Sequence, residues 1–295
     1  MVDKLKRHLH LEDILIVVYC LFQLILVLVF GSTAQVFLAL FYIASAIFVP
    51  IINLLLSRSK QAPAVLLKAT YPLILFYLFY RVSGLQSALL GFQSHDAFFN
   101  NIEASLLGAY PTFILQRIME VWLNEISNLL YCLGWAVPLA AFYKIYRAGV
   151  MNQLKSFILS IELGCFVSLI IASVWPIAGP EISLNDYYYL GFYGPWFSII
   201  VPEAIRLLSP ATASFPPVYF LVVATAAYYL WDFGRSYIVI SLILITGAYW
   251  SGIYLRYHYL ADGPVALLIA FFASAVAGYI YRTAPIGSGQ PANSS

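Results

Sequence analysis

Residues Trp250 to Gly263 read WSGIYLRYHYLADG, and the rest of the chain is organised around this stretch. It stands where one apolar run ends and the last one begins, and it carries Arg256, His258 and Asp262. The chain has 4 histidines: His8 and His10 in a polar head, His95 in a loop, and His258 here. On a helical path His258 and Asp262 are four residues apart and share a face. A carboxylate at that spacing accepts one ring N–H, fixes the tautomer and leaves the other nitrogen free to act. The alternative is a polar helix end lying at a membrane surface.

Composition sets the class. The chain is 295 residues long, 62% hydrophobic and 9% charged, with a mean hydropathy of +0.87. That is the make-up of a multispanning membrane protein and not of a soluble domain. A net charge of +2 gives no indication of a nucleic-acid partner. The first apolar run is long, ends in FGSTAQ and leads directly into further runs, so it reads as a span and not as a cleaved signal. Cys20, Cys132 and Cys165 all fall inside apolar runs and read as small packing residues. Cysteines and histidines are never near one another, so no zinc pattern is present and no metal site is expected. Asn293-Ser-Ser matches a glycosylation acceptor only formally, at the chain end.

Taken in order, the basic head MVDKLKRHLHLED precedes a first span near Ile14 to Phe30. A second runs from about Gln35 to Leu56 and closes at SRSKQ; a third covers about Leu66 to Leu90. Each approaches the ~20 apolar residues needed to cross a bilayer. His95 to Ser127 mixes helical apolar spacing with Asp96, Glu103, Arg117, Glu120 and Glu125, which predicts helices lying in the interface at 96–126, broken at Tyr110-Pro111. Further spans are expected near Leu129–Tyr146 and Phe157–Trp175, the latter ending in VWPIAGPE. A polar-aromatic loop, Ile182 to Phe215, precedes a sixth span opening at SFPPVYF, a seventh near Ile238–Tyr254 and an eighth near Pro264–Tyr281. The expected division is an N-terminal head with two helices (1–62), a six-helix core (63–283) and a disordered tail (284–295).

Eight spans put both termini on one side. Lys4, Lys6, Arg7, Arg58, Lys60, Lys68, Lys144, Arg147, Lys155, Arg235 and Arg282 then share it, against Arg81, Arg117, Arg206 and Arg256 opposite. The positive-inside rule makes that side cytoplasmic. WPIAGPE, the tyrosine loop, SFPPVYF and RYHYLAD therefore converge on the outer face, whether periplasmic, extracellular or lumenal.

On these motifs the chain resembles the type 2 phosphatidic acid phosphatase superfamily, most closely its branch of inositol phosphorylceramide synthases and bacterial relatives. The resemblance covers about Leu66 to Arg282 and rests on HDAFFNNIEASLLGAYP, WPIAGP, SFPP and LRYHYLAD. It implies an all-α bundle and double displacement on a lipid phosphate or diphosphate, without metal or cofactor. In that scheme His258 attacks phosphorus to form a phosphohistidine, Asp262 orients it, and water or an alcohol accepts the group. Arginines and backbone donors neutralise the phosphate; Arg206 and Arg256 are the cations on the correct side. Arg256, two residues from His258, points away from it on a helix. Arg206 either swings in from its loop or pairs with Glu203 at i,i+3.

The second motif of that family ends in a serine and a histidine that serves as general acid. Here Pro217 and Tyr219 stand in those places. A tyrosine near pKa ~10 donates a hydrogen bond but is a poor proton donor near neutrality. A phosphate leaving from a diphosphate would feel the loss less than an alkoxide. The family's first motif is not cleanly present, and Glu181 follows Gly179-Pro180 where relatives often carry arginine, placing a negative charge near a phosphate site. Two readings stay open. Either Tyr219 or His95 (beside Asp96) replaces the acid in a working enzyme, or the fold persists as a catalytically impaired binder of lipid or of a membrane partner.

Tyr187, Tyr188, Tyr189 and Tyr193 read as an interfacial aromatic belt, with a lipid-headgroup site as the alternative. Glu162, inside the fifth span, reads as a buried, protonated or hydrogen-bonded structural carboxyl, and Asp232 with Arg235 as a solvated pair. A transporter would carry charges through several spans, and here Glu162 is the main one near the midplane. Substrate, acceptor and oligomeric state are left open.

Overall fold

The computed structural model describes residues 11–56, 62–209 and 214–283, without the side chains of 62–66, 68, 69, 282 and 283. The basic head up to His10, the SRSKQ stretch and the tail 284–295 lie outside the described residues, as do the side chains of Lys68 and Arg282. The fold is all-helical. Its elements are α1 Leu11–Phe30, α2 Val36–Leu56, α3 Ala62–Leu89, α4 Asp96–Leu107, α5 Pro111–Gln116, α6 Val121–Gly134, α7 Ala136–Arg147, α8 Met151–Val174, α9 Pro180–Ser183, α10 Phe197–Leu208, α11 Val218–Leu230, α12 Arg235–Tyr254 and α13 Asp262–Thr283. Among the described residues, 6 helical stretches are long and apolar enough to cross a membrane: Leu11–Phe30, Thr33–Leu56, Val121–Arg147, Met151–Val174, Arg235–Tyr254 and Asp262–Tyr281. Val218–Phe233 is a shorter apolar helix.

Helix α8 is the axis of the bundle. In its most apolar window 72% of residues are buried, against 33–39% for the other five, and it packs on α13, α3, α11, α7 and α1. Its sequence explains the position. Ser156, Ser160, Gly164 and Ser168 recur every fourth residue, and small side chains let neighbouring backbones approach closely. A Cβ at Gly164 would meet Leu221 of α11 at 2.8 Å. The serine hydroxyls bond back along the helix, Ser160 to the Ser156 carbonyl at 2.7 Å and Ser168 to that of Gly164 at 3.0 Å.

A polar chain ties the first two helices to this core. Gln23 donates to Ser173 of α8 at 2.7 Å, Gln86 of α3 donates to Gln23 at 2.6 Å, and Tyr42 of α2 donates to Gln86 at 2.5 Å. Glu162 is fully buried in α8 close to Glu12 and Asp13. Neither of its carboxyl oxygens has a hydrogen-bond partner, so the hydrogen-bonded form of the sequence reading is not found. Asp232 accepts from Gln153 at 2.8 Å in place of the expected pairing with Arg235.

The segment 96–126 differs from a simple interfacial pair. Tyr110-Pro111 does mark a break: α4 ends on Gly108 at φ 72°, and Pro111 occupies the first turn of α5. The left-handed cap suits glycine, and a first-turn proline loses no hydrogen bond. Val121 to Ile126, however, already belong to α6, which continues past Trp135 into α7. Glu125 explains the charge at that helix start. Its carboxylate accepts from the backbone N–H groups of Phe197 at 2.8 Å, Ser198 at 3.1 Å and Trp196 at 3.3 Å, capping α10 from another helix.

Candidate active site

The decisive stretch is a helix end, a reversal and a helix start. Helix α12 stops at Tyr254, and Arg256 takes φ 69°, the left-handed region usually left to glycine. The N–H groups of Tyr257 and His258 then both return to the Gly252 carbonyl, at 2.9 and 3.1 Å. A helical path through His258 is therefore ruled out, and the shared-face geometry expected from the i,i+4 spacing is replaced by a closed loop. Asp262 opens α13, and its Oδ2 accepts from the Tyr259 N–H at 3.0 Å and lies 3.1 Å from His258 Nδ1. An ionised carboxylate only accepts, so the pair places the ring proton on Nδ1 and leaves the Nε2 lone pair free. Nε2 is buried and has no hydrogen-bond partner, and Asp262 is 1% exposed.

Pro217, Tyr219 and Phe220 from the start of α11, Ala248 and Tyr249 from α12, and Gly263 close around the pair. The cavity they leave is about 10 Å³, roughly the room of one water. Gly252 backs the imidazole: a Cβ there would lie 2.8 Å from His258 Cδ2.

Tyr219 lines this cavity, but its hydroxyl is engaged elsewhere. It donates to the Tyr131 carbonyl at 2.5 Å, its ring stacks on Tyr131 at 4.2 Å between centroids, and its oxygen would meet a Cβ at Gly134 at 1.9 Å. A phenol tied to α6 holds two helices together and has no proton donor turned to the imidazole. Tyr219→Phe is accordingly expected to cost about 1 kcal/mol of stability for the buried hydrogen bond. Its activity should fall far less than the ~10²–10⁴-fold that removal of a general acid brings. Thermal unfolding in detergent beside an activity assay separates the two, and a large activity loss at unchanged stability would return Tyr219 to the acid role.

Neither arginine reaches the cavity. Arg206 is exposed and holds Glu203 Oε2 through Nε at 3.1 Å and Nη2 at 2.8 Å, which is the i,i+3 pairing. Arg256 is 6% exposed and turned to the tyrosine loop. Its guanidinium sits 3.7 Å over the ring of Tyr188 and 4.7 Å over that of Phe192, and donates to the Leu190 carbonyl at 2.8 Å. Burial holds its pKa below the usual arginine value, with Tyr188 and Glu181 opposing that shift. Glu181 thus has a nearby cation, and its backbone N–H donates to the Arg256 carbonyl at 2.8 Å. Tyr187, Tyr189 and Tyr193 are exposed as a belt would be, whereas Tyr188 is the half-buried lid on Arg256.

His95 and Asp96 do not pair. The His95 ring packs edge-on against Trp175, 5.3 Å between centroids, and its backbone N–H donates to the Pro176 carbonyl. Asp96 turns the other way. It accepts from the N–H of Ala178 at 2.9 Å on one oxygen and from that of Gly179 at 2.8 Å on the other, from Ser94, and from the Tyr259 hydroxyl at 2.7 Å. The proposed substitute acid is thereby separated from the carboxylate that was to tune it.

The residues missed from sequence lie on α4. Its buried face, Asp96, Phe99, Asn100 and Glu103, follows the i, i+3, i+4, i+7 rule. Phe99 stacks on Tyr259 at 5.2 Å, Asn100 reaches Ser183, and Ser183 meets the Tyr259 hydroxyl at 2.9 Å. Glu103 accepts from the Leu260 N–H at 2.5 Å. Burial raises its pKa to about 7, the Leu260 N–H opposing and Asp262 adding. Polar residues at helical spacing on an otherwise apolar helix were the available signal.

No family model, curated protein or solved structure matches this chain. A neutral imidazole held through Nδ1 with a free Nε2 is equipped to act as nucleophile or as general base. Among the described residues no group of three or more His, Cys, Asp and Glu side chains is arranged to hold a metal ion.

Proposed function

We propose that the protein is an integral membrane phosphatase or phosphotransferase acting on a lipid phosphate or diphosphate through a phosphohistidine at His258. The observation that carries this reading is the oriented pair: Nδ1 at 3.1 Å from Asp262 Oδ2, with Nε2 buried and unpartnered at a cavity. In the first step Nε2 attacks phosphorus, the P–N bond forms and the P–O bond to the leaving group breaks. The leaving group departs as phosphate anion or, if an alkoxide, takes a proton from solvent. In the second, water or an alcohol gives its oxygen to phosphorus, the P–N bond breaks with its electron pair returning to Nε2, the attacking proton leaves to solvent, and His258 is restored. Asp262 stabilises the imidazolium-like charge in both. The topology that goes with this reading has eight spans, both termini cytoplasmic and the site on the outer face. The last six spans form the phosphatase-like core, and the surrounding bilayer supplies the substrate.

A second reading, a protein of the same architecture that binds lipid or a membrane partner without turnover, is favoured by one observation. No described cation lies on the cavity wall, since Arg206 is held by Glu203 and Arg256 by Tyr188 and Phe192. The deciding experiment is phosphate release by the purified protein in detergent without added metal. Phosphatidic acid is compared with a polyprenyl diphosphate, with alkaline quenching to keep any phosphohistidine. Release with label retained on His258 supports the enzyme. Folded protein that releases nothing and traps no label on either lipid overturns it in favour of the second reading.

A further inference from the structure

The turn between His258 and Asp262 is clamped from both sides at one residue, through the two peptide groups that flank Leu260. Glu103 on α4 accepts the Leu260 N–H at 2.5 Å, and Tyr249 on α12 donates to the Leu260 carbonyl at 2.5 Å. Glu103 is 5% exposed, and Asp262 lies within reach of its charge. The backbone bond that Glu103 makes is thus one link from the catalytic pair, and its charge stands behind the carboxylate that orients the imidazole.

We infer that Glu103 is a positioning residue for the His258–Asp262 pair: it holds the Leu260 turn in place and, through the charge it sets beside Asp262, governs how strongly His258 binds a proton. The inference rests on the reading of His258 as the working nucleophile. The groups that face Glu103 are Asp262 of α13, Tyr249 of α12, Tyr259 of the loop and Tyr188 of the tyrosine loop. Asp96 lies two turns away on α4 itself, and His258 and Arg256 flank the same loop. Arg256, the cation of this set, is turned to the Tyr188 and Phe192 rings. With its carboxyl near pH 7, Glu103 is largely neutral in mild acid and ionised in mild base. Ionisation adds a negative charge behind Asp262, which favours the protonated imidazole and raises the basicity of Nε2. The grip on Leu260 survives both states because a carboxyl oxygen accepts in either.

The test is nitrogen NMR of histidine-labelled full-length protein in detergent, titrated between mild acid and mild base as wild type, Glu103→Gln and Glu103→Ala. In the wild type the His258 ring signals are expected to show an inflection near pH 7 that follows the ionisation of Glu103. Glu103→Gln keeps an acceptor for Leu260 but cannot ionise. It should lose that inflection and bind a proton at His258 about tenfold more weakly above neutrality. Glu103→Ala should lose in addition the preference for the proton on Nδ1. A Gln variant that titrates like wild type, or an Ala variant with the wild-type tautomer and titration, overturns the inference. The pH profile of phosphate release separates it from the reading it rests on. Expected NMR changes with no release by wild type would sink the enzyme and leave the positioning role, whereas release with an identical profile in Glu103→Gln would do the reverse.

Discussion

If His258 is the nucleophile we propose, His258→Ala is expected to remove phosphate release by a factor on the order of 10⁴ or more, because it would delete the atom that bonds to phosphorus and not a group that assists it. The imidazole is 13% exposed and its loop is held by the Leu260, Tyr257 and Tyr259 contacts, so the alanine variant should remain folded. Asp262→Asn should cost roughly 10²–10⁴-fold, since an amide at that position can present its NH₂ to Nδ1 and reverse the tautomer. Single-turnover assays with labelled lipid, quenched in alkali, check both. A His258→Ala protein retaining a tenth of wild-type release would sink the nucleophile role. Equal losses in both variants with label still trapped in Asp262→Asn would confine Asp262 to the second step.

The second large effect is structural. Asp96→Ala is expected to lower stability by about 3–5 kcal/mol, because a buried carboxylate that accepts four hydrogen bonds leaves its donors without partners. Those donors are the Ala178 and Gly179 amides, the Ser94 hydroxyl and the Tyr259 hydroxyl. They belong to three segments, the start of α4, the 176–180 stretch and the loop before α13, so the loss should loosen this end of the bundle first. Hydrogen exchange of the 176–180 and 257–261 amides, beside thermal unfolding in detergent, would show it. A change below about 1 kcal/mol would mean that water replaces the carboxylate, and that this end of the bundle is wetter than the burial of Asp96 implies.

Hydropathy alone places the long helices, because a bilayer-length apolar run leaves the backbone little choice. Tyr110-Pro111 was legible as a break for a local reason, the missing N–H of Pro111. The His258–Asp262 pair was legible from spacing, but its geometry was not. Nothing in LRYHYLAD announces that Arg256, a residue with a Cβ, adopts the conformation reserved for glycine. Its guanidinium then lies against an aromatic box formed by Tyr188 and Phe192, more than sixty residues earlier. The same distance hides Asp96 and Glu103, whose partners, Ser94 apart, lie 82 to 163 residues away. Arg206 is the opposite case: its partner is three residues away on the same helix, and that pairing is the one that forms.

Gln23 has a consequence for how the molecule is made. Its partners are Ser173 and Gln86, which follow it by 150 and 63 residues. At about 5–20 residues per second, Ser173 is synthesised roughly 8–30 s after Gln23. During that interval the first helix holds a carboxamide in or beside the lipid with no intramolecular ligand from α8. Its commitment to the bilayer therefore depends on its apolar flanks, at a hydropathy of 2.7. The polar chain Tyr42–Gln86–Gln23–Ser173 acts only afterwards, as a latch that closes when the fourth of its members has been translated.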